Sequence, residues 1–398
     1  MADETTTTWA NLLREMKGPL VEALKWKTVL LAEIKKDTSP RRWAGKQVTI
    51  PIILAPQQGT SMITQTGTLT TPIVHDDTQA VVTSAIIAIA ISFSTQVMEQ
   101  AKNDDTSWAT VVPLKMRMAE EAFSRVINEQ FCGTGDALLA NITSSVTGVA
   151  QTVGTTANFY QLYPNRTVDV LTRATGAAVA GGAGAKIAST TPSTGIVTFT
   201  ASVTGTSAEG IYIQGSYGNA LAGWGAAVAT TGTFQNINKA NVQSWQGTDA
   251  SPAAASDPTI AVFDKADRLA LRNAGVTPDF YIADPGVIDK YTQGLTVQAR
   301  WAGDETKLAS GFTGVAYRNK ALIPEFDMPA STAYGVTTDD ASIFTLTEGP
   351  DWDDRTGSVF QRFGTRSLPV EAWLIWMLQL GFLRCNSQVK IANLNAAA

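Results

Sequence analysis

Apolar and polar positions follow two periods along this chain, and the switches between them divide it into successive parts. Over residues 9–36, Leu12, Leu13, Met16, Leu20, Leu24, Leu31 and Ile34 recur at helical spacing, with Arg14, Glu15, Lys17, Glu22, Lys25 and Lys27 between them. This predicts an amphipathic helix, split by Gly18-Pro19 because an interior proline removes a backbone donor. Such a helix packs either on its own domain or, as an arm, on a neighbouring subunit. The period then changes to two. Residues 46–54 predict a strand, with Val48, Ile50 and Ile52 set against Gln47, Thr49 and Ile53. A tip rich in Gln, Gly, Ser and Thr covers 56–71 and leads into a long return strand. There Val81, Ala85, Ile87, Ile89, Ile91 and Phe93 face one way, and Ser84, Ala88, Ala90, Ser92 and Ser94 the other. An isolated hairpin is marginal in water, so this one needs a further surface, which in an assembly is the adjacent subunit.

Residues 106–131 carry the strongest helical pattern. Met116, Ala119, Phe123 and Val126 form the apolar stripe, and Lys115, Arg117, Glu120, Glu121, Arg125 and Glu129 fill the other face. Thr106 or Ser107 can cap its start, Pro113 suits a first turn, and Gly133 stops it. From 134 to about 230 the composition turns to Gly, Ala, Thr and Ser, with short β-prone pieces at 168–171, 196–199 and 211–214. Short strands between Gly-bearing turns predict a small inserted barrel or sandwich, against a low-complexity alternative. A mixed α/β stretch follows. Asp257-Pro258 opens a helix that stops at Gly275, 280–283 is a strand, and Asp284-Pro285 begins a second short helix. Pieces at 311–317, around Tyr334 and at 343–346 add strands, and an apolar segment over 369–383 holding Trp373 and Trp376 closes the chain.

Composition narrows the class. At 398 residues the chain can form two or three packed units. Only 16% of residues are charged and 44% are hydrophobic, which fits a chain that hides surface against neighbours. A net charge of −5 gives no basic patch for nucleic-acid recognition, although a surface that merely encloses DNA can be neutral or acidic. Cys132 and Cys385 form neither a CxxC pair nor a disulfide framework, which suits two packed, reduced thiols; an inter-subunit bridge is the alternative. The start, Met-Ala-Asp-Glu-Thr, has no signal-peptide pattern. The apolar run 81–93 is shorter than the ~20 residues of a helical span, and 368–383 contains Glu371 and Gln379. The expectation is cytosolic synthesis and no membrane segment.

Motifs of catalysis are scarce. His75 is the only histidine, which leaves little for His-pair metal sites or for Ser-His and Cys-His mechanisms. Gly181-Gly182-Ala183-Gly184 lacks the Gly-Lys-Ser/Thr ending of a phosphate loop and reads as a flexible turn. Asp351, Asp353 and Asp354 resemble the start of a calcium loop, but the sixth position is not Gly and the twelfth is Arg362, so a solvated turn is the expectation. No cofactor, metal or catalytic residue is expected.

Four stretches, in order, resemble the major capsid proteins of tailed bacteriophages, the Hong Kong 97-type family. They are Ile211-Tyr212-Ile213-Gln214-Gly215-Ser216-Tyr217-Gly218-Asn219, Pro278-Asp279-Phe280-Tyr281-Ile282, Gly311-Phe312 leading to Ala316-Tyr317, and Asp351-Trp352 leading to Gly357-Ser358-Val359. The resemblance spans nearly the whole chain. It implies an α+β fold with an N-terminal arm (1–45), an extended β-hairpin loop (46–100), a peripheral domain carrying a spine helix (101–155), an inserted β-rich domain (156–229), an axial domain (230–345) and a return to the peripheral domain (346–398). It implies a non-enzymatic subunit that self-assembles through pentamers and hexamers into an icosahedral shell around double-stranded DNA. Its expected partners are its own copies, a separate scaffolding protein, a portal protein and, in some members, a decoration protein. The expected location is the virion, assembled in the host cytoplasm. Inter-subunit contacts are expected at Gln57, Gln58, Ile87, Ile89, Trp352, Asp353 and Asp354. The rival readings are a subunit of an encapsulin-type compartment and an enzyme or carbohydrate-binding protein using the β insertion.

Overall fold

The computed structural model describes residues 30–31, 34–37, 43–44, 47–55, 60, 62–69, 75–94, 111–144, 146–154, 157–297, 305–307, 313–347, 349–355, 357–362 and 369–396. Its organising element is the thirteen-residue strand Val370–Phe382, in which Ala372, Leu374, Trp376, Leu378 and Leu380 are buried and the residues between them are half-buried. One edge pairs antiparallel with Ala85–Phe93 along its whole length, from Val370 opposite Phe93 to Leu378 opposite Ala85. The other edge takes three short strands in series: Gln361–Arg362, Asp351–Trp352 and Ala341–Thr345. Helix α1 (Val111–Cys132) lies over this sheet. Its Leu114 and Ala119 pack with Ile91, Phe93 and Ala372. One turn on, Phe123, Ile127 and Phe131 join Leu374, Trp376, Leu378 and Leu380 in the main core.

The hairpin Gln47–Ala55 with Asp76–Thr83 is antiparallel, with a register shift between Ile53 and Ala55. The return predicted as one strand is two. Asp76–Thr83 ends in the hairpin, the ladder breaks at Ser84, and Ala85–Phe93 joins the central sheet. Period two holds on each side of the break but changes phase: Ala80 and Val82 are buried before it, whereas Ile87, Ile89, Ile91 and Phe93 turn inward after it, so Val81 does not share their face as predicted. The N-terminal helix prediction falls mostly outside the described residues. Leu30 and Leu31 are helical, but Lys35–Asp37 already runs as a strand beside Ser342–Phe344, so the helix does not reach Lys36. Edge pairing satisfies backbone groups there that a further helical turn would leave unpacked.

After α1 a six-stranded sheet forms, in the order Leu138–Asn141, Glu209–Ile213, Thr167–Thr172, Ala185–Thr191, Ile196–Gly205, Val146–Thr152. It begins earlier than the expected boundary at 156. The N–H of Ile142 donates to the Glu209 carbonyl and that of Thr143 to the Thr152 carbonyl, so one short segment links the two outermost strands and the sheet curls toward closure. Ile142, Val168, Val170, Ile187, Val197, Phe199, Val203 and Ile211 fill its interior. The chain leaves this insertion through Leu221 and helix α2 (Trp224–Val228). There the backbone of Gly223 passes so close to the end of α1 that a Cβ would sit 2.1 Å from the Gly133 carbonyl oxygen.

The remaining unit is a seven-stranded mixed sheet built on Phe280–Ala283, which pairs parallel with Lys320–Pro324 and antiparallel with Ala333–Val336. Helix α3 (Ile260–Ala274) covers it with Phe263, Ala266 and Ala270, and ends at Gly275 in a left-handed conformation with its N–H on the Leu271 carbonyl. It starts at Ile260 with Thr259 as cap, two residues beyond the predicted Asp257-Pro258. Helix α4 (Pro285–Val297) runs past the predicted end near Tyr291.

Arg125 and Glu129, expected on the solvated face of α1, are buried where the insertion and the mixed sheet meet the helix. Arg166 Nη1 and Nη2 donate to the two Glu129 carboxylate oxygens at 2.6 and 2.7 Å, and Arg166 Nη1 also reaches the Gln161 carbonyl. A buried bidentate pair is directional, and breaking one side leaves an uncompensated charge. Arg166→Met is therefore expected to destabilise the chain by about 3–5 kcal/mol, with much of the loss recovered in the double variant Arg166→Met/Glu129→Met. Urea unfolding followed by tryptophan fluorescence checks both; an additive double variant overturns the pairing argument.

Candidate assembly surfaces

The hairpin is anchored at its base and bare toward its tip. Val48 and Val82 pack with Phe344, whereas Ile53, Met62, Ile63 and Leu69 are exposed, Met62 fully so. No Asp, Glu, Lys or Arg occurs between Lys46 and Asp76. A projecting, uncharged segment with several exposed apolar side chains marks a surface that another protein covers. Gln57 and Gln58 lie outside the described residues.

Ile87, Ile89 and Trp352 are brought together, on the inner face of the central sheet. Leu374 pairs with Ile89 on one side and with Trp352 on the other, and Ile87 pairs with Trp376. Paired residues share a face, and Leu374 and Trp376 are buried toward α1. Ile87 and Ile89 are thus half-buried against the chain's own core. The neighbouring Ile86 is 63% exposed on the opposite face, beside Met377. Among the described residues the outer edge of Ala85–Phe93 carries no partner strand, and the strand contains no charge. Natural sheets protect such edges or cover them. A groove of about 500 Å³ runs beside this edge, walled by Ile86 to Ile89, by Ala122, Phe123 and Val126 of α1, and by Tyr163 and Ser216 of the insertion.

The acidic turn is tied to the chain. Asp351–Trp352 forms strand pairs, and the Trp352 indole donates to Glu120 at 3.3 Å. The Asp353 N–H reaches the Trp373 carbonyl, and its carboxylate accepts from the Arg355 N–H. Asp354 is exposed and its carbonyl accepts from Gly357. Among the described residues no group of three metal-ligating side chains occurs. His75 is exposed. Both cysteines are buried; burial pushes the Cys385 thiol up to about 12, and that of Cys132 also rises, burial acting with the nearby Glu325, Asp327 and Glu129. Protonated thiols are poor nucleophiles. Lys239 is fully enclosed, its ammonium donating to the carbonyls of Ala226, Ala227 and Ala229 at the end of α2, and burial pushes it down to about 8. It serves as a helix cap. No described helix is long and apolar enough to cross a membrane.

Neither a protein-family model nor a curated protein sequence matches the chain. Solved structures do. The subunit in the cyanophage A-1(L) capsid asymmetric unit superposes with a TM-score of 0.60 at 14% identity, covering 96% of each chain. The SrpI encapsulin complex from Synechococcus elongatus gives a TM-score of 0.52 at 9% identity, over 99% of this chain and 97% of the other. A structure from Mycobacterium phage Bobi gives 0.50 at 10% identity over the whole of both chains. The fold is the Hong Kong 97-type shell fold, in an α+β chain.

Substitutions on the two faces of Ala85–Phe93 separate surface from core. Ile86→Asp is expected to change stability by no more than about 0.5 kcal/mol, as for an exposed site, while abolishing self-association. Ile87→Asp is expected to lower stability by several kcal/mol as well, since it buries a charge. Denaturation midpoints and sedimentation velocity of both variants check this; normal association of Ile86→Asp overturns the assignment of that face.

Proposed function

We propose that this chain is the major capsid protein of a tailed bacteriophage, a structural subunit that assembles into an icosahedral shell around double-stranded DNA. The observation that carries the reading is the full-length fold likeness to a subunit of a phage capsid, over 96% of both chains. The exposed outer part of the hairpin, free of Asp, Glu, Lys and Arg between Lys46 and Asp76, supports it, since a monomer has no use for such a projection.

In this reading residues 1–45 are the arm, 46–100 the extended loop, 101–137 and 346–398 the peripheral domain, 138–229 the inserted domain, its start moved from 156 to the first strand of its sheet, and 230–345 the axial domain. The hairpin of one copy covers the next, and its resting place is the groove beside Ala85–Phe93. Ile87 and Ile89 line that groove, Trp352 adds an apolar contact on the far edge of the central strand, and Gln57, Gln58, Asp353 and Asp354 supply polar contacts. Contacts that are weak singly add through closed symmetry and multivalency. A separate scaffolding protein, a portal and a decoration protein complete the partner set, and the virion, built in the host cytoplasm, is the location. The role in this reading is structural; among the described residues both thiols are buried and Lys239 caps a helix.

The second reading is an encapsulin-type compartment, favoured by the likeness to the SrpI complex. Contents separate the two, as packaged genome against enclosed protein. Expression of the chain alone and with a neighbouring scaffold gene, examined by size exclusion and negative-stain electron microscopy, is expected to give closed shells or pentamer and hexamer rings. A stable monomer in the presence of scaffold overturns the shell reading and returns attention to ligand binding by the insertion.

A further inference from the structure

The seam between the insertion, α1 and the mixed sheet holds a buried charge imbalance. Within the described residues around it, three carboxylates, Glu129, Glu325 and Asp327, face two guanidiniums, Arg125 and Arg166, all at most 7% exposed. Glu129 is engaged by Arg166 through two short hydrogen bonds. Arg125 donates to the Tyr160 carbonyl and lies over the Tyr163 ring at 4.2 Å. Asp327 accepts from Asn128 of α1 through Oδ2 at 2.7 Å, while its Oδ1 is buried with no hydrogen-bond partner.

Asp327 sits where all three units touch. Its carbonyl accepts from Gln161 of the insertion, and Asn158 of the insertion donates to the carbonyls of Phe326 and Met328 on either side of it. Tyr160 stacks on Phe326 at 5.1 Å. A cavity of about 460 Å³, lined by Asp327, Glu129, Gln130, Asn158 and Gln161 among others, adjoins the seam, so separation along it has room to begin.

We propose that this seam is a proton-operated latch: with a proton on the unpartnered oxygen of Asp327 the insertion is held closed against α1 and the mixed sheet, and loss of that proton lets it swing away. A buried carboxylate oxygen with no partner costs far more when the group is ionised than when it is protonated. The groups facing Asp327 act in both directions. Burial comes first, then the charges of Glu129 and Glu325, and these raise its pKa; the Asn128 hydrogen bond and Arg125 lower it. The balance pushes it up to about 7. The sign follows from linkage. The closed seam binds the proton more tightly than an open or unfolded chain, whose carboxyl titrates at about 3.9. Closure is therefore fully favoured below about pH 4, weakens by about tenfold per pH unit as pH rises toward 7, and is constant above that. The latch concerns one chain and holds whether the shell contains a genome or cargo.

Hydrogen–deuterium exchange of the full chain, corrected for intrinsic rates, tests this between pH 5 and 8. The expected result is that amides of 158–166 and 325–328 lose about tenfold protection per unit up to pH 7 and none beyond, while 341–345 and 370–382 stay unchanged. Asp327→Asn, which mimics the protonated acid, is expected to keep the seam protected at every pH. Glu325→Gln removes a like charge and is expected to move the midpoint to lower pH, a readout that survives if Asp327→Asn misfolds. Protection independent of pH in the wild type, full pH dependence in Asp327→Asn, or an unmoved midpoint in Glu325→Gln overturns the proposal.

Discussion

The structure depends on Val370–Phe382 finding its place between two edges that come from far earlier in the chain. Until that strand is paired, Ala85–Phe93 has no ladder, three short strands have nothing to join, and α1 has half a core to cover. Its alternating Leu and Trp give the strand one strongly apolar face, and a one-residue slip would turn that face outward. The register is therefore held by burial along thirteen residues rather than by any single bond. Pairing over such sequence separation is slow to form, because loop closure precedes the contacts that reward it.

The other two attachments solve the same problem by different physics. The hairpin is fastened through apolar contacts over its lower half, Val48 and Val82 against Phe344 and Ala80, Ile50 and Ile52 against the main core, while Ile53, Met62, Ile63 and Leu69 are left exposed. The insertion is fastened through buried charge and amide hydrogen bonds at the Glu129–Arg166 and Asn128–Asp327 seam. Apolar contact tolerates sliding, whereas bidentate pairs and buried carboxamides hold one angle. An element that adapts to a neighbour and an element held at a set orientation thus differ in the chemistry of their joints.

Much of this was legible in the residue pattern because burial there has a simple period. The three-and-four spacing of α1, the alternation of 85–93 and the stop at Gly275 all express local geometry. What was illegible is non-local. Ser84 gives no sign that the strand changes sheets, since both halves keep period two. The strands Leu138–Asn141 and Val146–Thr152 lie in Gly- and Thr-rich stretches whose partners come after residue 195. Arg125 and Glu129 read as a solvated helix face because a helix has no local means of announcing distant partners, Arg166 for Glu129 and the Tyr160 carbonyl for Arg125. Ile87 and Ile89 were singled out correctly as apolar, but which face of a strand is inward is decided by Leu374 and Trp376. Their strand lies nearly three hundred residues away.

The exposed positions follow from that choice of face. Since Ile87 and Ile89 are drawn inward by their pairing, Ile86 must point out, and Met377 opposite it lies on the same side. The apolar outer row is thus a consequence of how the central strand is buried, and so is the edge beside it, because among the described residues only one side of Ala85–Phe93 carries a partner strand. A second copy laying the segment 47–74 there, which has no Asp, Glu, Lys or Arg, would desolvate no ions on that segment or on the strand, so the contact avoids the penalty attached to buried charge. Such a joint is weak alone and gains strength only by repetition around a closed surface. That combination suits the shell subunit proposed above, which must be able to miss, release and try again before closure.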